Sequence, residues 1–362
     1  MEFYASSNLV GKQIGQWQVL KKIENIDITS QYSVFYLVKN DELEAIMKVM
    51  DYEKCHSKSA SDGLKVVERL SMVSTAFLYE TNAAKSCAFK HMNNVIRYID
   101  SGEIELEGYQ ISTVTFIVYE QSEGKVGAFL KFSSKVDFKT KIEILKDKIW
   151  SLHQVAKGVK QLHSNLIAHH NITPLSIEVF DKNCKFKLGD LHSSKCRKEE
   201  FQSPEGTRFF NGDLTYAPPE AFFAYKISDE MAAYYQIDTY MLGNMIVYYL
   251  TSFNLTALLN RKLPYSLKEW ASRGANYVSV LPEIINAFDT TLKDIRSSIC
   301  IEELQEPILN IIECMCNPDP DRRGYPGGFK TTRANADLQR IITKLDMLHK
   351  IAEFYLYKEI KS

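Results

Sequence analysis

The stretch IAHHNITPLSIEVFDKNCKFKLGDLH, residues 167–192, decides the fold of this chain. It opens with the polar loop IAHHNITPL and continues with two short β-like segments, SIEVFD and CKFKLGD. The dipeptide KN between these segments has the chemistry of a tight hairpin turn. The second segment ends at Asp190, an acidic residue in a turn. The stretch therefore predicts a loop, a hairpin and an acidic turn in immediate succession.

Helical patterns surround this stretch. Between residues 141 and 163 apolar side chains recur every three or four positions, which predicts a long helix with one buried stripe. The segment QIDTYMLGNMIVYYLTSF is almost wholly apolar, which predicts a helix at the buried centre of its lobe. Two more amphipathic helices are predicted from IEELQEPILNIIECMC and NADLQRIITKLDMLHKIAEFYLYKEI.

The N-terminal third of the chain favours strands instead. QWQVLKKI and YSVFYLVKN alternate and are rich in β-branched and aromatic residues, and LEAIMKVM follows after the turn NDE. A helical region over residues 62–90 separates them from NVIRYIDSGEI and YQISTVTFIVYE. The polar, glycine-containing segment EQSEGKVG, residues 120–127, predicts the boundary between this β-rich lobe and the helical one.

The composition is that of an ordinary globular protein. Of 362 residues 45% are hydrophobic and 25% charged, and the net charge of −1 argues against a general attraction to nucleic acid. No apolar run approaches the ~18 residues of a membrane span, and the first residues lack the pattern of a secretory signal. The seven cysteines are scattered, which favours a reducing, cytoplasmic environment and argues against zinc at Cys314 and Cys316.

Six motifs carry the chemistry, and their order is informative. They are EAIMKV at residues 44–49, HHNITPLSI at 169–177, GDLH at 189–192, YAPPE at 216–220, DTYMLG at 238–243 and DPDRR at 319–323. In this order they resemble the motifs of a eukaryotic-type protein kinase domain over roughly residues 15 to 330.

The resemblance implies the α+β fold of that family, with two lobes. It predicts a small, mainly antiparallel β N-lobe with one helix at residues 15–120 and a larger helical C-lobe at residues 121–330. Residues 1–14 are then an N-terminal extension, and residues 331–362 a C-terminal helical extension.

The same resemblance assigns residues to a nucleotide. Lys48 matches the third-strand lysine, which contacts the phosphates of ATP. Its family partner is a helix glutamate, for which Glu80 and Glu68 both compete. Glu120 and Ser122 match the hinge that binds the nucleotide. The resemblance at these residues supports residual ATP binding, and whether ATP binds stays open at this point.

The phosphate cradle departs from the family. Residues 23–35, IENIDITSQYSVF, contain no glycine, although glycine is what lets backbone N–H groups approach phosphates closely. Tyr119 falls at the position that limits the back of the adenine pocket, where its large side chain would narrow the pocket, pack in the core, or do both.

The metal ligands are only partly retained. Asp190 matches the aspartate that holds Mg²⁺, whereas His192 replaces the glycine two residues later. Ser176 stands where the family has an asparagine that binds a second Mg²⁺, and its shorter hydroxyl argues against that second ion.

The catalytic positions are changed. Asn171 replaces the aspartate that accepts the proton of the substrate hydroxyl, and an amide cannot serve as that base. Thr173 replaces the lysine of the same loop. His170 replaces the arginine that pairs with a phosphate on the activation segment.

The structural positions of the family are kept. Glu220 and Arg323 match an ion pair that ties the activation segment to the late helices. Asp238 matches the residue that binds the backbone of the catalytic loop, and His169 matches the structural histidine of that loop. Scaffold positions retained beside altered chemical positions are typical of a pseudokinase.

Three functions follow from this pattern. The first is a pseudokinase that acts by contact with a protein partner, with residual ATP binding. The second is a weak or atypical Ser/Thr protein kinase, and the third an enzyme that transfers another part of the nucleotide.

The C-terminal helix carries an apolar stripe that would pack on its own lobe or form a partner or dimer surface. The stripe consists of Leu338, Ile342, Leu345, Leu348, Ala352 and Tyr355.

Overall fold

The computed structural model describes residues 2–24, 32–57, 63–129, 136–181, 184–196, 210, 212–223, 225, 230–270, 276–324 and 338–361. The chain divides into two compact units. The first unit comprises Met1–Glu123 and Gly189–Ser194, and the second comprises Gly124–Leu188 and Lys195–Ser362. The division at Glu123 falls inside the polar segment in which the boundary was predicted.

The first unit is built on an antiparallel sheet. Its strands are β1 (Glu2–Tyr4), β2 (Gln13–Ile14), β3 (Trp17–Ile23), β4 (Ser33–Lys39), β5 (Glu44–Met50), β6 (Tyr98–Glu105), β7 (Tyr109–Ile111) and β8 (Thr113–Glu120). Six of them form one sheet in the order β2-β3-β4-β5-β8-β6, and β1 pairs with β7 in parallel. The helices of this unit are α1 (Tyr52–His56) and α2 (Val66–Phe89).

Residues 2–14, expected to extend outside the lobe, are instead part of its packing. β1 and β2 pair with strands of the unit, and Ala5, Leu9 and Ile14 are fully buried in its hydrophobic core. Trp17 lies in the same core and donates an indole N–H to Asp100 at 2.9 Å. Burying these apolar side chains is more favourable than leaving the segment in solvent, so it belongs to the lobe.

The second unit is mainly helical. Its helices are α3 (Val126–Phe129), α4 (Phe138–His163), α5 (Glu230–Thr251), α6 (Leu255–Lys262), α7 (Tyr277–Arg296), α8 (Glu302–Met315) and α9 (Gln339–Lys361). Its strands are β9 (Gly124–Lys125), β10 (Ile167–Ala168), β11 (Ile177–Phe180), β12 (Lys185–Leu188) and β13 (Lys195–Cys196). The predicted hairpin is present as the antiparallel pair β11–β12, and β10 pairs with β13.

The helices α4, α5 and α9 form the core of the second unit. α4 begins at Phe138, three residues before the predicted range of 141–163. The side chain of Asp137 caps this end, because it accepts the backbone N–H of Thr140 at 2.8 Å. α5 is the buried helix that its apolar sequence predicted. α9 packs along α4, and its stripe is buried from Leu338 to Ala352.

The packing of α9 on its own unit supports the first of the two roles considered for the stripe. Beyond Ala352 the last turns of α9 expose apolar side chains, since Phe354, Tyr357 and Ile360 are 53%, 54% and 58% exposed. Among the described helices none is by itself both long and apolar enough to cross a membrane, although α5 and α6, bent by 81°, meet those criteria of length and composition as a pair. One β-rich unit and one helical unit confirm the predicted α+β class.

Candidate functional site

Lys48 forms a buried ion pair in the first unit. It lies on β5, between Phe35 of β4 and Ile117 of β8 in the ladder. Its ammonium is 2.6 Å from Oε2 of Glu80 on α2, and the two side chains are only 4% and 3% exposed. Removing a charge from water costs free energy, and the attraction between these two opposite charges offsets that desolvation cost.

The structure also decides between the two candidate glutamates. Glu68 lies in the first turn of α2, where its carboxylate accepts the backbone N–H of Lys65 at 2.9 Å. That contact caps the helix and leaves Glu80, three turns later, as the partner of Lys48.

Tyr119 is the third member of this cluster. Its hydroxyl donates to Oε1 of Glu80 at 3.1 Å, so both carboxylate oxygens of Glu80 have a partner. Burial, reinforced by the negative charge of Glu80, raises the pKa of Tyr119 well above its usual value. The sequence indicated a large side chain here, but the hydrogen bond depends on how β8 faces α2 and had no sequence signal.

Asp190 and His192 form a second polar pair in the first unit. Asp190 has a left-handed backbone (φ 60°, ψ 63°) and precedes a 3-10 turn over Leu191–Ser193. Its Oδ1 lies 2.6 Å from Nδ1 of His192. Burial disfavours the charged imidazole, but the neighbouring Asp190 carboxylate outweighs it, so the pKa of His192 is raised.

The two residues predicted to form the hinge, Glu120 and Ser122, lie at and just after the end of β8 in the same unit. Glu120 closes β8, and its carboxylate accepts the backbone N–H of Arg97 at 2.7 Å. Ser122 follows two residues later and is half-buried. Of residues 23–35, the candidate phosphate-binding segment, residues 25–31 lie outside the described residues.

In the second unit, Asp238 holds the backbone of the loop at the start of residues 167–192. Its carboxylate accepts the backbone N–H groups of His169 and His170, each at 2.7 Å, and Nε2–H of His163 at 2.8 Å. Burial alone would raise the pKa of Asp238, but the hydrogen bond from His163 and the nearby histidines hold it below its usual range. His163, in the last turn of α4, was not singled out from the sequence.

Asn171 is buried, and its side chain is engaged. The oxygen of its side-chain amide accepts the backbone N–H of Asp213 at 3.0 Å, and the backbone N–H of Asn171 donates to Nδ1 of His169 at 3.2 Å. The residue is 3% exposed. Asn171 therefore ties the loop to the segment that contains Asp213.

Thr173 and Ser176 bond to each other. The Ser176 hydroxyl accepts the backbone N–H of Thr173 and donates to its carbonyl, both at 3.0 Å. The Thr173 hydroxyl in turn accepts the N–H of Leu175 at 3.3 Å. Since both side chains are buried, this reciprocal pair closes a local turn.

His170 is a buried aromatic residue of the same loop. Its ring lies 4.7 Å from that of Tyr234 and 6.0 Å from that of Phe210. Within the described part of the chain neither ring nitrogen has a hydrogen-bond partner. Burial lowers the pKa of His170 to about 4, so the ring is neutral at physiological pH.

Glu220 and Arg323 are brought together as a bidentate ion pair in the second unit. The two guanidinium N–H groups donate to the two carboxylate oxygens at 2.6 and 2.9 Å. Both residues are buried, and Arg323 also donates to the carbonyl of Asn317 and stacks over Tyr240. This fork-to-fork geometry is the strongest arrangement for such a pair.

Comparison with known families decides the identity of the chain. The sequence model of the protein kinase domain matches residues 33–326. The chain belongs to the protein kinase family. A separate comparison with curated proteins found no match. The β-rich first unit and the helical second unit are therefore the N-lobe and C-lobe of a kinase fold.

Kinase domains generally bind ATP and Mg²⁺, and the residues of this chain suit the two ligands differently. Lys48 offers a cationic group with three N–H donors, one of which binds Glu80. Asp190 and Ser176, the residues predicted to hold Mg²⁺, already bond to His192 and Thr173. Among the described residues no group of three or more His, Cys, Asp or Glu side chains is arranged to hold a metal ion.

Proposed function

We propose that this kinase-family protein is a pseudokinase, which regulates or scaffolds a protein partner and transfers phosphate poorly or not at all. The observation that carries this proposal is Asn171, which stands where the resemblance to active kinases requires an aspartate. The amide of asparagine cannot take up the proton of a substrate hydroxyl. Loss of general-base help typically lowers a rate by ~10²–10⁴-fold.

The contacts of Asn171 support the same conclusion. An amide oxygen could still orient a hydroxyl by accepting its hydrogen bond, but in Asn171 the N–H of Asp213 takes one of the two lone pairs of this oxygen and fixes its direction. Thr173, at the position of the loop lysine, carries no charge, and its hydroxyl is bonded within the loop. Both groups act on the protein's own backbone, which favours a structural role for the loop.

Binding of ATP is part of the proposal. Among the described residues Glu80 is the hydrogen-bond partner of the Lys48 ammonium, so two N–H donors remain for an anionic group. The triphosphate of ATP would supply that group. The Lys48–Glu80 pair orients the ammonium, and Glu120 and Ser122 are the proposed hinge contacts.

A protein partner and a cytoplasmic site of action complete the proposal. None of the seven cysteines, all of which lie in the described part of the chain, forms a disulfide, which suits a reducing compartment. The apolar side chains exposed at the end of α9 support a contact with another protein or with a second copy of this chain.

Two measurements test the proposal. The first is the melting temperature with millimolar ATP, in buffers with Mg²⁺ and with EDTA. At 100 times its Kd a ligand stabilises the fold by about 2.7 kcal/mol. The matched control is the double variant Lys48→Met/Glu80→Gln, which removes both buried charges together and so leaves neither unpaired. We expect ATP to raise the melting temperature of the wild type and not that of the double variant.

The second measurement is transfer of labelled γ-phosphate to a general protein substrate. We expect none from the wild type, and a gain in Asn171→Asp if the missing base limits the reaction. Wild-type transfer that Asp190→Ala abolishes would instead establish the weak kinase. An added AMP group detected by intact mass would establish the other enzyme class. The absence of any ATP effect in either buffer would remove nucleotide binding and leave a scaffold.

A further inference from the structure

The imidazole of His192 is hydrogen-bonded to the carboxylate of Asp190. The two atoms Nδ1 of His192 and Oδ1 of Asp190 are 2.6 Å apart, and the side chains are 25% and 5% exposed. Because an ionised carboxylate can only accept a hydrogen bond, the proton between them belongs to the imidazole. Asp190 thus already has a hydrogen-bond donor from its own turn on one of its two carboxylate oxygens.

The turn that carries His192 is firmly held. Its neighbours Leu191 and Ser193 are buried at 0% and 3% exposure, and the backbone N–H of Ser194 donates to the carbonyl of Leu191 at 3.0 Å. The turn packs against α2 within the first unit. Moving His192 away from Asp190 would therefore require rearrangement of a packed segment, not only rotation of an exposed side chain.

The second kinase position for the metal is also engaged. In the second unit the hydroxyl of Ser176 donates to the carbonyl of Thr173 and accepts its N–H. A hydroxyl has one proton and two lone pairs, and in Ser176 the proton and one lone pair are engaged. The remaining lone pair belongs to a residue that is fully buried, so it is poorly placed to take up a solvated Mg²⁺.

These two observations lead to one conclusion. We propose that this protein binds ATP without Mg²⁺, because His192 holds the carboxylate of Asp190 and Thr173 holds the hydroxyl of Ser176. The proposal rests on the ATP binding proposed above and specifies how the ligand is recognised. The phosphates are then bound as a free anion, with the two remaining N–H donors of Lys48 as their main cationic contact.

The test is the affinity for ATP in EDTA and in excess Mg²⁺, measured by displacement of a fluorescent ATP analogue. For the wild type we expect the two dissociation constants to agree within about threefold, a free-energy difference of at most ~0.7 kcal/mol. In His192→Gly, which removes the imidazole donor from Asp190, we expect Mg²⁺ to tighten binding by about tenfold or more. In the double variant His192→Gly/Asp190→Ala we expect that gain to disappear.

The matched control is Ser194→Gly, because it introduces the same backbone freedom two residues away and keeps His192. It should bind ATP as the wild type does in both buffers. A wild type that binds ATP at least tenfold more tightly with Mg²⁺ would overturn the inference while leaving ATP binding intact. This comparison does not depend on any variant folding.

Two further outcomes count against the inference. If His192→Gly binds ATP equally well in both buffers, His192 is not what excludes the metal. If the wild type binds ATP in neither buffer, both this inference and the nucleotide part of the proposed function fail. The second outcome is distinguishable from the first because the displacement signal is then absent altogether.

Discussion

The carboxamide oxygen of Asn171 lies 3.0 Å from the backbone nitrogen of Asp213 and accepts its N–H. The resemblance to active kinases predicts that the residue at this position acts on a substrate hydroxyl, whereas in the structure the Asn171 side chain holds another segment of the C-lobe. Close packing supports the same junction, since a Cβ added at Gly212 would lie 1.8 Å from the carbonyl oxygen of His170. The altered residue is thus a structural tether, which has consequences for stability.

Replacing Asn171 by alanine should destabilise the protein. The substitution removes the acceptor of the Asp213 N–H and the packing of a buried amide, and we expect the free energy of unfolding to fall by about 1 kcal/mol. Denaturation by urea measures the change. A variant as stable as the wild type would show that the contact is not maintained in solution.

The Glu220–Arg323 pair should contribute far more. Glu220→Ala leaves a guanidinium buried without its carboxylate, which typically costs ~3–5 kcal/mol. The same urea measurement applies. The control is Asp346→Ala, which removes the exposed partner of Lys350 one turn away on α9 and should leave stability nearly unchanged because solvent screens that pair. Equal effects of the two substitutions would contradict the importance of burial.

Lys148 should make stability depend on pH. It is buried on α4 and donates to the carbonyl of Tyr249 at 2.6 Å, near the C-terminus of α5. Burial lowers its pKa from 10.5 to about 7. Between these two values the unfolded chain binds the proton and the folded chain does not, so the free energy of unfolding rises with pH across this window.

The variant Lys148→Met isolates this contribution. Below pH 7 the folded and unfolded forms of the wild type are both protonated, and the buried charge weighs against folding. We therefore expect the variant to gain stability relative to the wild type most clearly near and below neutral pH, and this advantage to shrink as pH rises toward 10 at up to about 1.4 kcal/mol per pH unit. A difference between the two proteins that does not change with pH would contradict the lowered pKa.

Gly243 should tolerate no larger residue. A Cβ there would lie 2.4 Å from Sγ of Cys316 and 2.8 Å from Cβ of Met315, at the contact of α5 with the end of α8. Gly243→Ala should cost ~1–3 kcal/mol through overpacking, measured by urea denaturation. Adding Cys316→Ala removes the nearer atom and should recover part of the loss. Strict additivity of the two effects would show that the side chains do not meet.

Much of the fold follows from patterns that are local in the chain. The stripe of α4 and the β11–β12 hairpin were predicted to within about three residues, because helix and strand periods depend on neighbouring positions. The apolar run predicted α5 as well, although this helix begins at Glu230, before the run that starts at Gln236. The family itself was recognisable from the order of its motifs, and the match over residues 33–326 confirms it. Residues 2–14 were placed outside the lobe, since two short strands carry too little pattern to show that they join a sheet.

In the candidate site, too, the sequence identified individual residues and the tertiary structure showed which of them are in contact. Sequence alone singled out Lys48, Asn171 and Asp190 and predicted that Asn171 does not serve as a catalytic base. Tertiary structure decided that Glu80, not Glu68, pairs with Lys48, since one strand and one helix do not reveal which of their residues meet.

Tertiary structure likewise decided which groups three of the singled-out side chains contact. Tyr119 bonds Glu80, His192 bonds Asp190, and Asn171 bonds the backbone near Asp213. A hydrogen bond requires two groups within about 3 Å. The sequence specifies which groups exist, and only the folding of separate segments against each other determines which of them come that close.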